Sequence, residues 1–204
     1  MTAQISDSVC YKGDWYALAG IRPRRGGPPF DPSLYDLRVR PITTACWRGY
    51  VCSYEVNDDR LELVSVDLGV SDPPAELFGA PVSQGAFGSA RYEPIRVPQP
   101  FDGGLLIASE FLPDLYAHMG PHPAWKYKHV FELIFADGHL AEVLDHSLDA
   151  VARRAAEGSP TADTMEMRSP HGPCDAFARV PPAPLLALCQ SGPATPTDHP
   201  NACL

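Results

Sequence analysis

Three features of the sequence predict an α+β fold dominated by antiparallel β-hairpins, a sandwich or partly open barrel with one or two short helices. Two apolar runs, 129–135 and 139–144, flank Ala136-Asp137-Gly138, and a short Asp-Gly loop between strand-like runs is a strong local hairpin signal. The runs 46–56 and 60–68 repeat that plan around Asn57-Asp58-Asp59, residues whose side chains stabilise tight turns and tolerate positive φ. Helical periodicity is confined to short segments. The folded unit is expected over residues 1–159, a single domain long enough to bury a core. Residues 160–204, with prolines at 160, 170, 173, 181, 182, 184, 193, 196 and 200, are expected to form a Pro-rich, poorly ordered tail.

In chain order, Lys12-Gly13-Asp14 leads into a short strand over 15–19. Residues 21–32 read as a loop in which Arg22, Arg24 and Arg25 sit among Gly26, Gly27, Pro28 and Pro29. The loop lacks the spacing of a phosphate cradle, so its arginines are expected to pair with the acidic body. Along 46–56, alternation places Cys46, Arg48, Tyr50, Cys52, Tyr54 and Val56 on one face. Neither face is cleanly polar, which predicts cover on both sides. The hairpins around Asp58 and Asp137 share an order of aromatic, Glu, apolar, acidic turn, basic residue and Leu. Obedience to the same local rules explains that likeness more simply than duplication.

Residues 71–104 carry many prolines and glycines, which confine strands such as 92–97 to edges. Residues 105–108 form a short buried strand. Pro113 starts a helical turn or two that Gly120 and Pro121 stop. The last helix covers 148–157, with Ser147 as its cap and Leu148, Val151, Ala152 and Ala155 as its apolar face.

Charge and cysteine usage bound the function classes. Sixteen Lys and Arg against 25 Asp and Glu give a net charge of −9, with a pI near 5.1. Such a surface disfavours nucleic acid and anionic membranes and favours a basic partner. No apolar run is long enough to span a bilayer, and no secretory leader is visible. The six cysteines show no metal-type spacing, which with the missing leader points to free thiols in a reducing cytoplasm.

Candidate chemistry is sparse. His118 and His122 are four apart, but Gly120 and Pro121 break any helix between them, so neither a metal nor a cofactor is expected. His118 instead suits a helix C-terminus, within reach of Asp114. Glu132 lies between apolar neighbours in a strand, and Glu55 occupies the matching place in the other hairpin; both are expected first as partners for Lys or Arg on a sheet face. With His118 or His122, and in a region also holding His129, His139, Asp145 and His146, Glu132 could serve acid–base chemistry in a pocket between the hairpins. No nucleophile elbow or dinucleotide fingerprint is present. The aromatics supply an alternative. Trp125, Tyr127 and Lys126, with Tyr116, Arg48 and Tyr50, combine the residue types that dominate interface hot spots. Trp125, flanked by proline and lysine, is expected on a rim, and Trp47 in the core. The sequence therefore favours a non-catalytic, acidic, cytosolic binding protein that engages a protein partner, as toxin-neutralising (immunity-like) or adaptor proteins do. The alternative is a small enzyme or small-ligand carrier.

Overall fold

The computed structural model describes residues 2–157; the expected tail over 160–204 lies outside them. The described chain is a mostly β structure built on one large mixed sheet, with a single α-helix. Its strands are β1 (Ser8–Tyr11), β2 (Asp14–Arg25), β3 (Tyr50–Asn57), β4 (Arg60–Leu68), β5 (Glu76–Leu77), β6 (Ala80–Gln84), β7 (Ala90–Tyr92), β8 (Val97–Pro98), β9 (Asp102–Phe111), β10 (Tyr127–Ala136) and β11 (His139–Asp145). They run in the order β11-β10-β9-β2-β1-β3-β4-β7-β6-β5, with β8 beside β4. Among the named strands of the described residues, only the β1–β3 pair is parallel. At one corner β11 returns to β4, where His139 pairs with Arg60.

Four hairpins turn on two residues each: Lys12-Gly13, Asp58-Asp59, Phe78-Gly79 and Asp137-Gly138. Both residues of every pair have positive φ. This is the type I′ geometry, whose twist matches that of the strands it joins. Phe78 bears a side chain poorly suited to φ +53. Its ring is held 4.8 Å from that of Tyr35 and 6.5 Å from that of Phe30, contacts that offset a strain of about 1 kcal/mol. The Asp58 and Asp137 turns also grip each other. Leu61 donates its N–H to the Gly138 carbonyl at 3.1 Å, and Leu140 donates to that of Asp59 at 2.6 Å.

The main core lies on the inner face of the sheet, where Val9, Tyr54, Leu61, Leu63, Leu105, Ile107, Leu133 and Phe135 are essentially inaccessible. Each such apolar side chain contributes roughly 1.5–3 kcal/mol of transfer free energy. A second, smaller core lies on the outer face: Leu106, Ala108 and Val130 meet Ala124, Tyr127 and Ala150. Ala150 belongs to α1 (Ser147–Glu157), which covers this part of the sheet. The outer face of β1, β3 and β4 carries polar and charged groups and a surface groove, described below.

Several elements differ from the sequence expectation. Residues 21–25 are strand, not loop, because β2 continues along β9 with Ile21 opposite Leu105 and Arg22 opposite Gly104. The Gly103-Gly104 pair lies inside β9 and permits this approach. A Cβ on Gly103, at φ +148, would fall 2.2 Å from the Arg22 carbonyl oxygen. The hairpin of β5 and β6 was not foreseen, and the turn begun by Pro113 ends at Leu115, short of His118. On β3, Cys52 and Tyr54 are buried but Val51, Ser53 and Glu55 are half-exposed, so cover is one-sided.

Helix α1 is present, but its expected apolar face points outward: Leu148 is 84% and Val151 51% exposed. The sheet side is fixed instead by Ala150 and by Arg154, which donates to the Trp125 and Tyr127 carbonyls at 2.6 and 2.7 Å. Asp145 caps the helix start by accepting from the Ser147 N–H at 2.8 Å. The Ser147 hydroxyl accepts from the Val130 N–H at 3.1 Å and pins the helix to β10.

Candidate functional site

The sheet brings Glu132 together with partners from distant parts of the chain. On β10 it projects to the outer face beside Gly104 of β9, where any Cβ would stand 2.5 Å from its Oε1. It is 4% exposed. Arg22 of β2 donates from Nη2 to Oε1 at 2.6 Å. His146, just before α1, places Nε2 3.1 Å from Oε2, and its Nδ1 lies 3.1 Å from Oδ2 of the exposed Asp149. As an imidazolium the ring donates to both carboxylates; as a neutral ring it donates to one. Either way both nitrogens are occupied by this chain's own side chains. Glu132 has the arginine partner expected of it on a sheet face, Arg22, and beside it stands His146 rather than His118 or His122.

Those two histidines stand elsewhere. The His118 and His122 rings lie 5.0 and 5.1 Å from that of Tyr116, and His122 is 4.6 Å from Phe111. The His122 Nδ1 is buried and has no hydrogen-bond partner. Burial, with nearby Lys126, holds the His122 ring below its ordinary proton affinity.

The six residues expected to form a contact surface occupy two places: Tyr116 and Tyr127 flank the Phe111 ring, beside Trp125 and Lys126, and Arg48 lies over Tyr50 elsewhere. Trp125 is half-buried against the second core, and Lys126 and Tyr127 are each only 9% exposed. Cover by α1 explains this, so Trp125 is packed rather than on a rim. Arg48 is committed internally. It forms a bidentate pair with the buried Asp7, including Nη1 to Oδ2 at 2.9 Å, and donates from Nε to the Tyr50 carbonyl at 2.7 Å. Asp7 also accepts from the Cys52 N–H at 2.6 Å. Burial pushes the Asp7 carboxyl up, against the pull of Arg48. Tyr50 packs its ring 5.8 Å from that of Phe30. Tyr116 is 49% exposed and the Arg48 side chain 36%. Trp47, expected in the core, is 62% exposed because β3 begins only at Tyr50.

A groove of about 360 Å³ opens instead on the outer face of the sheet, between Trp15, Ser53, Ser65, Arg91, Glu93 and Pro94. Register builds it. Trp15 stands opposite Cys10, Cys10 beside Glu55, and Ser53 opposite Ser65. Trp15 is 56% exposed. The polar walls are tied to one another. Arg91 donates to Asp67 and to Glu93, both at 2.7 Å, and the Ser8 hydroxyl donates to that of Ser53 at 3.0 Å. Hydrogen bonding from Arg91 holds the Glu93 carboxyl below its usual range. Arg96 bridges Glu55 and Glu62 alongside. None of these residues was singled out from the sequence except Glu55. Only strand register, decided by pairings across the sheet, gathers them.

The chain matches no protein-family model, no curated protein and no solved structure. Among the described residues, no helix is long and apolar enough to cross a membrane.

Proposed function

We propose that this chain is a non-catalytic, acidic binding protein that engages a protein partner through the uncovered outer face of a partly open barrel. The observation that carries this reading is the groove whose wall is the half-exposed Trp15. An aromatic of this size on a rigid strand offers much contact area for little ordering entropy. The charged groups around it are tied to one another, Arg91 to Asp67 and Glu93 and Arg96 to Glu55 and Glu62, rather than arranged as an acid, a base and a nucleophile. The Glu132 cluster, the alternative centre for acid–base chemistry, has its oxygens taken by Arg22 and His146 and fastens α1 to the sheet. The unbridged thiols of Cys10, Cys46 and Cys52 suit a reducing cytoplasm. A toxin-neutralising or adaptor role fits such a module, since occupying the partner is its whole activity.

The test is affinity capture from the native host with quantitative mass spectrometry, using wild type, Trp15→Ala and Trp47→Ala. Trp47 is a control, a tryptophan equally exposed elsewhere. Trp15→Ala is expected to weaken capture of the partner by roughly 30-fold, about 2 kcal/mol, as a hot-spot aromatic does. Trp47→Ala should leave it unchanged. Equal capture by all three proteins would remove the groove from the function.

A further inference from the structure

We infer that the occupant of the Trp15 groove is a protein segment that lays an arginine or lysine side chain across the Trp15 ring, its cation held by the surrounding carboxylates. This rests on the groove being the docking face and names the chemistry of what docks there.

Charge on this face is unbalanced. Its two ion clusters hold four carboxylates, Asp67 and Glu93 around Arg91, and Glu55 and Glu62 around Arg96, against two guanidiniums. The face therefore keeps net negative charge after its internal pairing. The Glu93 and Glu55 side chains remain 49% and 32% exposed, so lone pairs are left for an incoming donor. Trp15, Cys10 and Glu55 follow one another across β2, β1 and β3. At about 4.8 Å per strand, the carboxylate row begins about 10 Å from the indole, within reach of a basic side chain and its flanking backbone.

Among aromatic rings, indole attracts cations most strongly, and adjacent carboxylates strengthen that attraction. An anionic occupant would meet the excess carboxylates. A purely apolar one would strip them of water with nothing in return. The whole chain, at −9, steers basic partners toward itself in the same sense.

The experiment follows the amide shifts of isotope-labelled full-length protein during titration with blocked pentapeptides, Gly-Arg-Gly-Arg-Gly, its Glu counterpart and its Ser counterpart, and with spermidine. The Arg peptide is expected to shift the Ser53, Ser65 and Arg91 amides. Trp15→Ala should weaken that binding at least tenfold, and Glu93→Gln or 0.5 M salt at least threefold. Equal binding of the Glu peptide, or Arg-peptide binding indifferent to Trp15→Ala, would overturn the inference. Spermidine binding as tightly as the peptide would make this a small-cation site and overturn it too. Partner capture separates the two readings. If Trp15→Ala abolishes capture while Glu93→Gln and salt leave it intact, the basic occupant fails and the docking face stands. If Trp15→Ala leaves capture unchanged, the docking face itself fails.

Discussion

The hairpins β3–β4 and β10–β11 are locally alike and tertiary opposites. Each has a type I′ turn and a glutamate on the outer face of its first strand. Glu132 is buried, flanked by Arg22 and His146, beneath the side of the sheet that α1 covers. Glu55 lies on the side without a helix, a third exposed and paired with Arg96. The difference comes from a covering element elsewhere in the chain and not from the strands. Cover turns one glutamate into a fastening for a helix and leaves the other as surface charge beside a groove.

The comparison breaks most sharply at the turns. Gly138, at φ +77, has no room for a Cβ, which would meet the Gln99 carbonyl oxygen at 2.7 Å. Asp59 holds the equivalent position at φ +59 with its side chain in place. Gly138→Ala is expected to cost about 3 kcal/mol, from positive-φ strain plus a backbone clash. Asp59→Gly should stay within about 0.5 kcal/mol of wild type. Chemical denaturation of the two variants measures both; a Gly138→Ala loss no larger than that of Asp59→Gly would show that the neighbouring Gln99–Pro100 backbone yields freely.

Next come the tryptophans. Trp125, packed beneath α1, should lose about 2–3 kcal/mol on replacement by Ala, below the range for a fully buried aromatic. Trp15→Ala should cost less than about 1 kcal/mol. Thermal midpoints that fall equally would erase the distinction between covered and open faces.

The glutamates themselves give a smaller contrast. Glu132→Ala removes hydrogen bonds to Arg22 and His146, and a loss of about 2 kcal/mol is expected. Glu55→Ala, at a largely solvated pair, should change stability by under about 0.5 kcal/mol. Amide exchange in α1 should also accelerate in Glu132→Ala and not in Glu55→Ala, since only the former ties the helix start.

His122 supplies the smallest effect, through pH. Burial lowers its proton affinity in the folded state, so the unfolded chain takes up the proton first. The stability it contributes is full above the unfolded value, near 6.5, and is lost as pH falls through the lower folded one. A drop of under about 1 kcal/mol is expected on acidification below pH 6.5, and His122→Phe should flatten that part of the profile. An unchanged slope in the variant would assign the loss to other groups.

What the sequence determined by itself was local. The Asp137-Gly138 and Asp58-Asp59 turns, the strand Arg60–Leu68 and the helix following Asp145 were all legible, because turn chemistry and periodicity act over a few residues. That Glu132 would pair with a basic side chain was legible too, though not that this would be Arg22, as was the presence of His146 among nearby titratable groups. Tertiary structure alone decided the rest. It carried β2 through Arg25 because Gly103 and Gly104 let the strands approach, and it rolled α1 so that Ala150 and Arg154 face the sheet while Leu148 faces outward. It also set Trp15, Ser53, Ser65 and Arg91 side by side. Those residues are far apart in the chain, and what unites them is strand register, fixed by which apolar faces must be buried together and invisible to any short stretch of sequence.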